Sequence, residues 1–200
     1  MKNSFSIDSS ISTSYIKICD YLFSELKPIL DDKRNIVFLC IGTDRSTGDC
    51  LGPLIGYKLQ FLSYDNIHIC GNLKNPIHSK NLVQRIDEIN LKFNNPFIIA
   101  IDSCLGKINN IGKIFIDKSP LYPGKALNKD LPAVGDISIT GIVNISSNFD
   151  FLVLQNTRLY TVSMIADIIS KAIYHFALKT KSANNYTSNN HVISFPNNYN

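Results

Sequence analysis

Two neighbouring segments decide the fold: residues 35–41, NIVFLCI, and the polar loop that follows at 42–49, GTDRSTGD. The last six residues of the first segment are all apolar, which predicts a short strand covered on both faces, as in a parallel sheet. The same pattern recurs at residues 96–101, PFIIAI, directly before Asp102. Each apolar segment is thus followed directly by polar or acidic residues that could bind a ligand or take part in catalysis.

Helical periodicity separates the predicted strands. Apolar residues recur at helical spacing over residues 11–26, 51–62 and 79–89, and residues 66–70, NIHIC, predict a further strand between the last two. The resulting order is α, β, α, β, α, β. Apolar strands that alternate with helices predict a mainly parallel sheet with helices on both faces, which is an α/β fold.

Local signals set the expected ends of the first helix and of the later elements. Ser9 or Ser10 is expected to cap the first helix, and Pro28 to end it. Residues 112–117 alternate in polarity and predict an edge strand, whereas residues 136–145 form a β-rich run broken by Gly141.

The C-terminal part of the chain predicts one long helix and a tail. Thr157 is expected to cap a helix that runs to about Lys179 with one apolar face. Residues 181–200 are rich in Asn and predict a flexible tail. We therefore expect a single domain over residues 1–180.

Composition excludes several classes of protein. Apolar residues make up 44% of the chain and charged residues 18%, so a real core can form, and a net charge of +4 is too mild to predict nucleic-acid binding. No apolar run approaches the roughly 20 residues of a membrane helix, and the N-terminus lacks the apolar centre of a signal peptide. Five cysteines without a C-x-x-C pair predict free thiols in a reducing cytoplasm, not a disulfide frame or a zinc site.

Two aspartates are the main candidates for chemistry. Ligands of open α/β sheets bind beyond the carboxyl ends of the strands, where Asp49 and Asp102 are both expected. Two close carboxylates cannot both ionise easily, so one keeps a proton while the other acts as a base that activates water. The alternatives are that Asp49 merely caps the next helix and that Asp102 is a turn residue. Arg45 either neutralises Asp44 or anchors a substrate carboxylate.

Other catalytic arrangements fit less well. The two glycines of the 42–49 loop are six residues apart, without the lysine of a phosphate-binding loop, and the dinucleotide fingerprint is absent. None of the four histidines accompanies a G-x-S-x-G serine. Cys50 and Cys104 have no histidine close in sequence, so core thiols are expected there.

The segments IGTDRSTGDCLGP, IDSCLG, PGKALNKDLPAVGDISITGIVN and LQNTRLYTVSMIADII resemble the YyaC family of sporulation proteins of endospore-forming bacteria over roughly residues 35–176. That family is distantly similar to the germination protease and to the hydrogenase-maturation endopeptidases. The resemblance implies a three-layer α/β/α sandwich with a largely parallel central sheet. It also implies that Asp49, in DCLGP, and Asp102, in AID, are the two catalytic aspartates.

The resemblance is incomplete at one point. Hydrogenase-maturation peptidases add a histidine to two acids and use all three to bind nickel. This chain has no histidine between His78 and His175, so the third ligand is expected to be missing. We therefore expect neither a metal nor a cofactor.

These observations lead to one hypothesis and two alternatives. The hypothesis is an aspartate-dependent endopeptidase that acts in the cytoplasm of the forespore or spore on small spore proteins. Asp49 and Asp102 would be catalytic, and the 42–49 loop and the 136–146 segment would flank the cleft, with Asp44, Arg45, Asp136 and Thr140 in supporting roles. The alternatives are a non-catalytic binding protein with the same fold and a metal-dependent hydrolase that uses the same acids. The expected partner is a protein or peptide, not nucleic acid or a membrane. The sequence does not decide whether the protein forms a homodimer.

Overall fold

The computed structural model describes residues 5–62, 64, 66–123 and 131–189, with side chains up to residue 181. Its strands are β1 (Phe5–Asp8), β2 (Ile36–Cys40), β3 (Ile67–Cys70), β4 (Phe97–Gly106), β5 (Lys113–Asp117) and β6 (Ile137–Ile145). Its α-helices are α1 (Ser14–Asp31), α2 (Leu51–Lys58), α3 (Leu82–Phe93), α4 (Asp150–Gln155) and α5 (Leu159–Asn189).

The strands form one six-stranded sheet with the order β1-β5-β6-β4-β2-β3. Strands β6, β4, β2 and β3 are parallel to one another, whereas β5 is antiparallel both to β6 and to β1. The carboxyl ends of the four parallel strands therefore meet at one edge of the sheet. The expected largely parallel sheet is confirmed.

Helices cover both faces, which makes the three layers. The larger core lies between the sheet and helices α1, α2 and α5, and it includes Ile36, Phe38 and Cys40 of β2. The smaller core contains Val37 and Leu39 of the same strand and packs against α3. Because successive residues of a strand point to opposite faces, a fully apolar strand is what two cores require.

The N-terminal expectation was wrong in two respects. Residues 5–8 form strand β1, which pairs with β5, so β5 is an interior strand and β1 is the edge. The first helix begins at Ser14, not near Ser9, since the Ser9 hydroxyl donates to the carbonyl oxygen of Gly112 and holds the strand end in place. Pro28 lies inside the last turns of α1 and does not end it.

Two later boundaries also differ from the expectation. Strand β4 continues past Asp102 to Gly106, because β6 pairs with it along that length. Strand β6 is continuous through Gly141, where a Cβ would lie 2.6 Å from Leu51 and 2.7 Å from Ile165. After β6, residues Asp150–Gln155 form helix α4.

The last helix is longer than expected. It runs to Asn189, beyond the expected end near Lys179, so residues 181–189 continue the helix. Residues 190–200 lie outside the described part of the chain. By length and composition the segment Leu159–Lys181 is apolar enough to cross a membrane, but 56% of its most apolar window is buried. That burial is typical of the core helix of a soluble α/β domain.

Candidate active site

The loop after β2 places Asp49 by backbone contacts. Gly42 has a φ of +137°, and a Cβ there would lie 2.0 Å from the carbonyl oxygen of Asp49. The N–H of Thr43 donates to that same oxygen over 3.0 Å. Only glycine permits this conformation and this close approach. The short 3₁₀ turn Thr47–Cys50 then carries the half-buried Asp49 into helix α2.

Strand β4 provides the second aspartate. Asp102 lies on the α3 face of the sheet, because it follows Ile98 and Ala100 of the smaller core at alternate positions. It is only 9% exposed, and the N–H of Ser103 donates to its Oδ1 over 2.7 Å. Burial raises the pKa of Asp102 well above its ordinary value, and the nearby charge of Asp49 raises it further. Asp102 therefore holds its proton to a higher pH than an exposed aspartate does.

The segment that contains Ile77 and His78 also lies at the carboxyl end of β2, on the side of β2 away from β4. Ile77 forms a parallel bridge with Ile41, and its carbonyl oxygen accepts a bond of 2.8 Å from the N–H of Gly42. The next residue is His78. Its backbone N–H donates to Oδ1 of Asn81 over 2.8 Å, and its ring nitrogen Nδ1 accepts the N–H of Lys80 over 3.3 Å.

These segments surround one cavity of about 320 Å³. Asp49, Asp102 and His78 all line it, so the structure brings together the two predicted aspartates and a histidine that the sequence argument had discounted. The apolar side of the wall comes mainly from Leu131 and from Phe151 and Leu154 of α4. The volume lies at the lower end of the range of small-molecule sites, which suits a short extended segment of peptide.

Of the four residues expected to support the aspartates, one lines the cavity. Arg45 does, and among the described residues its side chain forms no salt bridge with Asp44. Asp44 is exposed on the same loop but is not part of the cavity wall. Thr140 pairs directly with Asp102 across β4 and β6 and is half-buried, yet it does not line the cavity either.

Asp136 is not near the site. Its carboxylate accepts the N–H of Ile98 over 2.8 Å, and its own N–H donates to the carbonyl oxygen of Ile98 over 2.7 Å. These bonds hold it at the amino end of β4 and β6, the opposite edge of the sheet. The expectation that the 136–146 segment flanks the cleft was wrong, because β6 passes behind the site and α4 forms that wall.

Helix α4 was missed as a cavity wall because its six residues show too little periodicity to mark a helix. In the structure it packs tightly against the loop: a Cβ on Gly48 would lie 2.8 Å from the Leu154 side chain and 2.9 Å from the Thr157 hydroxyl. Thr157 is held in turn by its own bond to the carbonyl oxygen of Val153 over 2.7 Å. The glycine in the loop is the one sequence signal of this contact.

Cys50 is a buried thiol. Its Sγ donates to the carbonyl oxygen of Thr47, and burial, followed by the charges of Asp49 and Asp44, raises its pKa. A raised pKa leaves little thiolate, so the environment does not activate Cys50 as a nucleophile. It belongs to the larger core.

The donors present set a limit on metal binding. Within the described ranges, no three His, Cys, Asp or Glu side chains lie close enough together to hold a metal ion. A hydrolase of the metal-dependent kind would have to rely on the two carboxylates, with water completing the ligand set.

Comparison with known proteins identifies the family. The family described as "Protein of unknown function (DUF1256)" matches residues 7–172, and this chain belongs to it. A relative in Bacillus subtilis (strain 168), the "Uncharacterized protein YyaC", is 46% identical over 140 residues, which are 70% of this chain and 68% of the relative. The predicted resemblance to the YyaC family is confirmed.

Among solved structures, the chain is similar to the [NiFe] hydrogenase maturation protease HycI from Thermococcus kodakarensis KOD1. The two share 16% sequence identity with a TM-score of 0.48, over 74% of this chain and 98% of that one. At this score the likeness assigns no activity to the chain.

Proposed function

We propose that this protein is an aspartate-dependent endopeptidase. The observation that carries the proposal is the burial of Asp102 beside Asp49 in a cavity of peptide size. One carboxyl group that keeps its proton next to a second acid that is half-buried provides an acid and a base within one site.

The reaction needs only these two groups and a water molecule. Asp49 takes a proton from the water as its oxygen attacks the carbonyl carbon, and Asp102 gives its proton to the carbonyl oxygen. When the tetrahedral intermediate collapses, the C–N bond breaks and Asp49 passes its proton to the leaving nitrogen. The hydroxyl proton then returns to Asp102, so that both carboxyl groups end as they began.

The proposed setting follows from the resemblance to sporulation proteins. The substrate would be an extended segment of a small spore protein, and the place of action would be the forespore or spore interior. The α4 side of the cavity supports such a substrate, since Phe151 and Leu154 offer apolar contacts beside the two acids.

The test uses purified protein incubated with an extract of spore proteins, with new peptide termini identified by mass spectrometry. Wild type is expected to create termini that Asp49→Asn and Asp102→Asn do not. Asp87→Asn is the matched control, because Asp87 is exposed on α3 and lies outside the cavity wall. Equal cleavage by all four proteins would contradict the proposal.

The same experiment separates the two alternatives. A non-catalytic binding protein would retain a spore protein on a column without cutting it. A metal-dependent hydrolase would lose its cleavage on treatment with a chelator and regain it with a divalent ion, whereas the aspartate mechanism predicts no effect of the chelator.

A further inference from the structure

Hydrogen bonds hold the backbone at and before His78, which lines the cavity. The preceding residue is bonded to the β2 end, and the Asn81 side chain accepts the His78 N–H and donates to the carbonyl oxygen of Pro76 over 3.1 Å. Arg45 and Lys80 also line the cavity, but both are exposed. A fixed hydrogen-bond donor stabilises a transition state more than a mobile one, because it need not reorient as charge develops on the substrate.

The backbone also selects the tautomer of His78. Since Nδ1 accepts the N–H of Lys80, a neutral ring must carry its hydrogen on Nε2. The ring is half-buried in the cavity wall, so this N–H is a donor on the same cavity as the two acids.

The register of the sheet sets the distance across the site. Cys40 pairs with Ile101 and Ile41 pairs with Ile77, so Asp102 and His78 lie on opposite sides of the β2 end. Two strand spacings separate their chains by about 10 Å. Both residues line the cavity, and that separation leaves room between their chains for a peptide group of a substrate.

The proposed hydrolysis creates a need for such a donor. As the water attacks, negative charge begins to grow on the carbonyl oxygen before Asp102 has delivered its proton. Asp102 supplies one donor to that oxygen, which has two lone pairs. We propose that His78 is a further catalytic residue, whose Nε2–H donates a hydrogen bond to the carbonyl oxygen of the peptide bond under attack. This inference rests on the proposed endopeptidase function.

The kinetic test compares His78→Ala and His78→Gln with wild type on a protein that wild type cleaves. Loss of one such donor is expected to lower kcat by about 100-fold or more, with KM little changed. Gln places an amide N–H near the position of Nε2, so it is expected to recover part of the loss. His175→Gln is the control, since His175 is exposed on α5 and remote from the cavity wall.

The outcomes distinguish this inference from the function on which it rests. If wild type cleaves nothing, the endopeptidase proposal fails and this inference fails with it. If wild type cleaves and His78→Ala cleaves equally well, only the role of His78 is refuted. A rise in KM at constant kcat would also refute it, because that result indicates ground-state binding.

A second measurement needs no substrate. Long-range ¹H–¹⁵N NMR spectra at pH 8.5, where histidine rings are neutral, report which nitrogen carries the hydrogen. The His78 signals are assigned by their loss in His78→Gln. An Nε2–H tautomer is expected, and an Nδ1–H tautomer would overturn the proposal, since Nε2 would then be an acceptor.

Discussion

Asp102 lies in β4 and Asp136 directly precedes the neighbouring strand β6, so the two aspartates lie at opposite edges of the sheet. Asp136 accepts a backbone N–H of Ile98 and returns a bond to the same residue, so its carboxylate completes the hydrogen bonding where the two strands begin. Asp102, four residues beyond Ile98 and about 13 Å along the strand, is buried beside another acid and has a raised pKa. Each of the two carboxylates accepts a backbone N–H, so what sets Asp102 apart is its burial beside Asp49, which raises its pKa.

The largest expected effect lies at the carboxyl edge. Asp102→Asn is expected to lower the cleavage rate by about 10²- to 10⁴-fold, because the amide cannot give up a proton as an acid does. It is not expected to lower the free energy of unfolding, since the amide oxygen can still accept the Ser103 N–H and a buried acid is removed. Rates and urea unfolding curves check both parts. A variant that is inactive only because it is unfolded would contradict this contrast.

Gly42→Ala is expected to have the next largest effect. The new Cβ meets the Asp49 backbone, so the variant is expected to lose both activity and about 1–3 kcal/mol of stability. Gly112→Ala is the control: Gly112 also has a positive φ, +87°, but a Cβ there would lie 3.7 Å or more from its neighbours. Similar losses of activity in both variants would show that the contact with Asp49 is unimportant.

At the amino edge the expected effect is on stability alone. Asp136→Ala removes the acceptor of the Ile98 N–H and is expected to cost about 1–3 kcal/mol in the free energy of unfolding. Cleavage at a temperature where the variant is folded is expected to match wild type. Asp87→Ala serves as the exposed reference, and a fall in activity for Asp136→Ala without unfolding would abolish the division between the two edges.

The pH dependence of stability gives a smaller effect with a definite sign. The pKa of Asp102 in the folded state is raised above the ordinary value of 3.8, so its neutral form favours folding at low pH. That contribution is fully present below pH 3.8 and is lost as the pH rises through the raised pKa. Relative to Asp102→Asn, wild type is therefore expected to lose stability as the pH rises. Parallel stability curves for the two proteins would show that Asp102 is not perturbed.

The smallest effect is expected at Cys50. Because its thiol is buried and its pKa is raised, Cys50→Ser is expected to cleave at a rate close to that of wild type. The new hydroxyl can donate to the same Thr47 carbonyl oxygen. A large loss of activity in a folded Cys50→Ser variant would point to the thiol and away from the two aspartates.

The sequence predicted the strands with two buried faces far better than it predicted the site. Residues 36–40 and 97–101 are apolar at every position, and no other element requires that pattern. Strand β1 was missed because its four half-polar residues form a strand only through pairing with β5. Pro28 did not end α1, since a single missing N–H near the end of a helix is tolerated.

For the candidate site, sequence reasoning predicted that the two aspartates come together but not what surrounds them. Asp49 and Asp102 follow from the rule that parallel strands end at one edge. His78 reaches that edge through a loop of six residues and one isolated bridge, which leave no periodic trace. Asp136 was misplaced because the 136–146 segment was expected to flank the cleft as a whole, whereas Asp136 stands where β6 begins, at the opposite edge.

Helix α5 has a consequence for how the molecule is made. It supplies much of the larger core, including Val162, Ile165, Ile169 and Phe176, and it follows every strand in the chain. While the nascent polypeptide leaves the ribosome, one side of the sheet therefore lacks much of its apolar cover until this last segment emerges. Chaperones would bind this uncovered apolar face of the sheet. Premature termination of the chain before residue 159 would leave the face exposed, and the truncated protein would aggregate.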